Sequence, residues 1–297
     1  MKKLLSLILT VVFLFGFTVG CDKKTKDTFS GERLTVYFFD VGQADCSLLL
    51  FPDNTVMLID AGNKPDGKRI AEFIDNLGIK TINYFVLTHP HEDHIGGAVD
   101  IFNKFKVDTV CMPQIDENYL PDTATYKNTM DTIAKEKCRE LYLISGTAIV
   151  EKEDYSITAL SPAENSIFSD MNDYSLTLLV NCFSNTILFT GDAEKPAELD
   201  MMSCHLNIDA DILKVGHHGS GNSSTTDFLK KVTPQVSIIS CGKGNTYGHP
   251  HSDAVDRLLK SGSRVLRTDT VGTVIAKCYD GGFNIETDES IKLDSNK

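Results

Sequence analysis

The chain has 297 residues, 41% of them hydrophobic, and a formal net charge of −12. That apolar share supports a substantial buried core and excludes a disordered or fibrous chain. The acidic balance disfavours a protein whose affinity comes from lysine and arginine contacts to a phosphate backbone. Of eight cysteines none falls in a Cys-x-x-Cys spacing, so no disulfide framework or zinc ribbon is expected, and the absence of tryptophan argues against aromatic carbohydrate platforms.

In chain order, Lys2 and Lys3 precede an apolar stretch from Leu4 to Phe15, the layout of a secretory signal over residues 1–20. Val19-Gly20-Cys21 resembles a bacterial lipobox, which implies a diacylated Cys21 and an extracytoplasmic, membrane-anchored lipoprotein. Residues 21–33 are polar and unpatterned and read as a flexible tether; 34–297 read as one domain. Within it, Leu34 to Phe39, Cys46 to Phe51 and Thr55 to Ile59 are predicted strands punctuated by turn residues. Lys68 to Leu77 places Ile70, Phe73, Ile74 and Leu77 on one helical face that Gly78 ends. Strands are expected over Ile82 to Leu87 and Val107 to Met112, then a helix ending near Cys138. Further strands are expected at Leu141 to Ile144, Tyr155 to Leu160, Leu176 to Val180 and Thr186 to Thr190.

The strand at Ile82 runs into Thr88-His89-Pro-His91-Glu-Asp93-His94-Ile-Gly-Gly97, three histidines and an aspartate within six positions. Neutral imidazole and carboxylate hold borderline divalent ions, and a strand ending in a tight turn can aim several of them at one point. Two later strands end the same way, at Asp192 and at the pair His217-His218. Chemistry alone does not choose between those two histidines.

The His-x-His-x-Asp-His run, followed by Asp192 and His218 at strand ends, resembles the metallo-β-lactamase superfamily. Asp40-Val-Gly-Gln-Ala-Asp45, His217-His-Gly-Ser220 and Tyr247-Gly-His249-Pro-His251 resemble more narrowly the hydrolase domain of ComEC-type competence proteins and related phosphorylcholine esterases. The resemblance implies an α/β fold, a four-layer αββα sandwich. It implies two divalent ions, zinc or manganese, with His89 and His91 facing one, Asp93, His94 and His218 the other, and Asp192 bridging them. Asp93 would also orient a water acidified between the ions, and His249 is a candidate acid toward the leaving group. Asp40, Asp45, Asp60, Asn172, Ser175, His217, Ser220 and His251 are expected to support the ligands or contact substrate. Two departures stand out: Ala44 replaces a glycine usual in the opening motif, and no histidine lies between Gly96 and Asp192, which leaves the His89/His91 position short of a ligand. ComEC-type domains share that lack and carry a run like Asn172-Asp-Tyr-Ser175-Leu there.

The expected function is a surface-anchored, metal-dependent phosphodiesterase. Its substrate would be a small or polymeric phosphodiester; nucleic acid fits the resemblance but is disfavoured by net charge. Hydrolysis of a lactone, thioester or β-lactam and a non-catalytic binding module are the competing readings. Ser223 and Ser224 read equally as loop filler or phosphate contacts, and His205 belongs to no motif.

Overall fold

The computed structural model describes residues 33–294. The signal, Cys21 and nearly all of the tether fall outside the described residues. The first half builds β1 (Arg33–Phe38), β2 (Ser47–Leu50), β3 (Val56–Ile59), α1 (Gly67–Asn76), β4 (Thr81–Val86), α2 (Glu92–Ile95), α3 (Ala98–Lys104), β5 (Lys106–Pro113), α4 (Ala124–Glu136) and β6 (Arg139–Leu143). The second builds β7 (Ala148–Glu151), β8 (Tyr155–Ser161), β9 (Thr177–Cys182), β10 (Asn185–Phe189), α5 (Lys195–Ser203), β11 (Ile212–Lys214) and α6 (Thr226–Val232). It continues through β12 (Val236–Ile239), α7 (Ser252–Lys260), β13 (Arg264–Arg267), α8 (Thr268–Val271), β14 (Thr273–Tyr279) and β15 (Gly282–Asp288).

These strands form two mixed sheets, one ordered β15-β14-β1-β2-β3-β4-β5-β6 and the other β13-β12-β11-β10-β9-β8-β7. β2, β3, β9, β11 and β12 are buried along their whole length or nearly so, because apolar side chains leave both faces of each. One face closes the interior: Phe38, Leu49 and Met57 of the first sheet meet Ile157, Val180 and Phe189 of the second. The other face of the first sheet takes Ile70 and Ile74 of α1 with Ile101 and Phe102 of α3. The other face of the second takes Met201 of α5 and Phe228 and Leu229 of α6. The result is the four-layer αββα sandwich the sequence implies.

Two parallel blocks set the site. β3-β4-β5-β6 run parallel in one sheet and β10-β11-β12-β13 in the other, and the segments that follow β3, β4, β10, β11 and β12 meet at one edge. Ligand sites collect outside the carboxyl ends of parallel strands, where diverging loops leave a crevice.

Candidate metal centre

The turn after β4 delivers its ligands because α2 begins at once: Glu92 and Asp93 occupy the first helical turn, where carboxylates suit the N-terminal dipole. Gly96 and Gly97 lie so close to the backbone of Lys64 and Ala61 that a Cβ on either would clash, which pins the turn against the loop after β3. Asp93, His94, Asp192 and His218 each place a ligand atom within 4.8 Å of the others. His218 Nε2 lies 3.2 Å from Asp93 Oδ2 and 3.6 Å from Asp192 Oδ2, and His94 Nε2 lies 3.3 Å from Asp192 Oδ1. Ligands at about 2.0–2.1 Å around a tetrahedral ion sit roughly 3.3 Å apart, so these spacings suit one ion.

Each inward nitrogen is set by what its ring's other nitrogen does. His94 Nδ1 donates to Asp60 Oδ2 at 2.7 Å, and His218 Nδ1 donates to the Ser240 carbonyl at 3.0 Å. Asp60 also accepts from the Thr88 amide at 2.8 Å and the Thr88 hydroxyl at 2.7 Å. His94 Nε2 and Asp192 Oδ1 are buried and have no hydrogen-bond partner, although they face each other. Their separation permits a contact but their alignment does not make a hydrogen bond, and we read the pair as two lone-pair donors turned toward a shared cation. The four residues therefore fit a divalent ion.

The second position is looser. His89 Nε2 lies 3.0 Å from His91 Nδ1 and 3.9 Å from Asp192 Oδ2. Ser175 supports this position from behind: its hydroxyl accepts from the Asp192 amide at 2.9 Å and lies 3.3 Å from His89 Nδ1, the ring nitrogen opposite the one that faces His91 and Asp192. Asn172 lines the cavity with its Oδ1 buried and unpartnered. Burial, reinforced by the neighbouring His94, holds His89 well below the usual imidazole range, so its ring is neutral, as a metal would require. Burial opposes charge on Asp192 too, but the surrounding histidines outweigh it and keep the carboxyl ionised. On His94 burial is likewise outweighed, here by Asp192 and Asp60, which raise its pKa. An ion entering beside Asp192 would displace that proton.

Of the histidine pair, His218 is the one in the four-residue cluster. His217 stands beside it, its Nε2 3.8 Å from Asp192 Oδ2 and its Nδ1 donating to Glu194 Oε1 at 2.7 Å. Both have positive φ, 46° and 52°, a strained conformation for non-glycine residues that aims two adjacent side chains into one site. Ser220 donates to Glu194 rather than to the cavity, at 3.0 Å. His251 accepts from the Gly221 amide at 2.9 Å, while His249 lines the cavity within 3.4 Å of Gln43 Nε2. Burial and the rings of His217, His218 and His251 push His249 down to about 4, which suits accepting a hydrogen bond better than protonating a leaving group. Asp45 binds Lys214 Nζ at 2.7 Å with both side chains buried, and its other oxygen lies 3.9 Å from His218 Nδ1. Asp40 instead serves the opening turn, accepting from the Gly42 amide at 3.3 Å. Ser223 and Ser224 are buried in the loop that leads to α6, and His205 lies in the turn beyond α5. Glu194, Lys214 and Thr88 were not anticipated from the sequence.

The cavity over the ligands measures about 750 Å³ and is lined by Gln43, Asn63, Asn172, Tyr247 and His249 as well as by ligand residues. Among the described residues no lysine or arginine lines it.

Residues 39–243 match the family described as the metallo-beta-lactamase superfamily. ComE operon protein 3 of Bacillus subtilis is 33% identical over 207 residues, 70% of this chain and 26% of that protein. Recombination protein 2 of Haemophilus influenzae is 28% identical over 281 residues, 93% of this chain and 32% of that protein. The chain thus spans about a quarter to a third of these relatives. Among solved structures, a CmlA beta-hydroxylase superposes with a TM-score of 0.53 at 14% identity, covering 80% of this chain and 52% of that one. Igni18, a metallo hydrolase of Ignicoccus hospitalis, gives 0.50 at 15% identity over 81% of this chain and 98% of that one. At such identities the superpositions speak for the fold alone.

Proposed function

Since the chain belongs to the metallo-β-lactamase superfamily, as a metal-dependent hydrolase, we propose that its site cleaves phosphodiesters with two divalent ions, zinc or manganese. The observation that carries this reading is the charge of the cavity. Asp93, Asp192 and Glu92 line it beside four histidines and, among the described residues, no lysine or arginine, so cations that neutralise those carboxylates would favour an anionic substrate there. Bound there, the ions would supply Lewis acidity toward a phosphoryl oxygen and lower the pKa of a water. The protein's own contribution is positional. Asp192 spans both ligand sets, Asp60 and the Ser240 carbonyl fix the rings of His94 and His218, and Gln43, Asn63 and Asn172 offer hydrogen bonds around the cavity mouth. His217, held by Glu194, faces the space where substrate would sit.

The relative named for recombination, together with the ComEC-like motifs, supports a phosphodiester over a carbonyl substrate. The test is turnover of bis-p-nitrophenyl phosphate, a phosphorylcholine ester, single-stranded DNA and a lactone, each with zinc and with manganese. Phosphodiester turnover that vanishes in Asp192→Ala is expected; turnover of the lactone alone would overturn the reading. We further propose that a lipid on Cys21 holds the enzyme at the outer membrane face. Among the described residues no helix is long and apolar enough to cross a membrane. A Cys21→Ser variant should then leave the membrane fraction, and full retention of the processed variant there would rule the anchor out.

A further inference from the structure

A second cavity, of about 430 Å³, adjoins the same turn: His89 and Pro90 line it, whereas His91, Glu92 and Asp93 line the cavity over the ligands. Its walls come from the end of β5, the loop after it and α4. Leu87, Ile95, Met112, Ile115, Leu120 and Met130 make them predominantly aliphatic. The volume is that of a small-molecule site, roughly 300–1,000 Å³. Among the described residues no lysine or arginine lines it, and Glu117 does, which disfavours the anionic part of a ligand there.

We infer that this cavity receives the aliphatic arm of an amphiphilic phosphodiester whose charged centre lies at the metal ligands. The two cavities divide the labour by chemistry: one takes charge through cations, and the other accepts only an uncharged, apolar group. A lipid-like or alkyl-substituted phosphodiester satisfies both, whereas a bare nucleic-acid backbone leaves the aliphatic walls in water. Methionines at positions 112 and 130 let the walls adapt to arms of different shape.

The inference rests on the phosphodiester reading, and the experiment separates the two. Alkyl p-nitrophenyl phosphates from methyl to hexyl are assayed for turnover, and n-alkylphosphonates of the same lengths are titrated calorimetrically into the manganese-loaded protein. Each buried methylene should raise both kcat/KM and affinity about three- to fourfold. Leu120→Trp, which fills the cavity from its half-exposed loop, should flatten that slope to less than threefold for two methylenes. A flat chain-length series in the wild-type protein, or an unchanged slope in a folded Leu120→Trp variant, overturns the inference. An intact phosphonate series without turnover of any diester leaves the pocket standing and removes the phosphodiesterase.

Discussion

Asp60→Asn separates the support of a ligand from the ligand itself. Asp60 follows β3 with φ of 58°, a left-handed conformation that asparagine tolerates, so the substitution keeps backbone and shape. The carboxylate accepts three hydrogen bonds, from the Thr88 amide, the Thr88 hydroxyl and His94 Nδ1. A carboxamide has one oxygen. If it faces His94, its NH₂ meets the Thr88 amide, and if it faces Thr88, its NH₂ meets the His94 N–H. Either arrangement leaves a buried donor unsatisfied, at a cost of about 1–3 kcal/mol. Against this, burial of the Asp60 charge is itself unfavourable and raises the carboxyl's pKa, an expense the neutral amide avoids. The two effects oppose each other in the metal-free protein, whose stability should change little. They do not cancel in metal binding, because a less basic and less firmly oriented His94 loses about 10- to 100-fold in affinity, roughly 1.4–2.7 kcal/mol. Competition with a chromophoric zinc chelator reads this directly, with urea unfolding in excess EDTA as the control. A variant that folds normally and holds zinc within threefold of wild type would refute the reasoning.

Graded chelation should remove metal in two steps, the ion beside His89 and His91 first, because the cluster of Asp93, His94, Asp192 and His218 offers more mutually close ligands; two ions leaving together would show that the looser position is completed by a residue outside this assignment. Asp192→Ala should lose both ions by elemental analysis and His205→Ala neither, and full occupancy in the former would end the bridging role. Lys214→Met should destabilise the fold by about 3–5 kcal/mol in urea titration, since it leaves the Asp45 carboxylate buried without its cation. Much of that loss should return in the double variant with Asp45→Leu, and a single variant as stable as wild type would show that the pair contributes nothing net.

The parts of this site that were legible in the sequence are those whose residues are close in the chain. His89 to His94 is one strand end and one helical turn, so spacing alone brings its side chains together. Likewise the early strands and α1 announce themselves by periodicity, because each buries a face formed by its own residues. What escaped is long-range. Lys214 lies inside the apolar run from Ile212 to Val215, where a lysine is tolerated only with a buried partner, and that partner is 169 residues away. The signal was present, a charge in the middle of a short buried strand, but not the address. Glu194 follows Asp192 by two positions and looks like any acidic residue opening a helix; only the fold shows that it carries His217. The return of β14 to pair with β1 is of the same kind. Cys278 reads as a buried residue from its apolar neighbours, yet nothing local says that it lies opposite Leu34 rather than in the second sheet. Chain patterns fix which faces are buried, whereas pairing between distant elements is decided by the whole set of faces at once. The candidate metal centre sits at the junction of both kinds of information: its candidate ligands come from motifs, and the residues that hold them come from the crossing of two sheets.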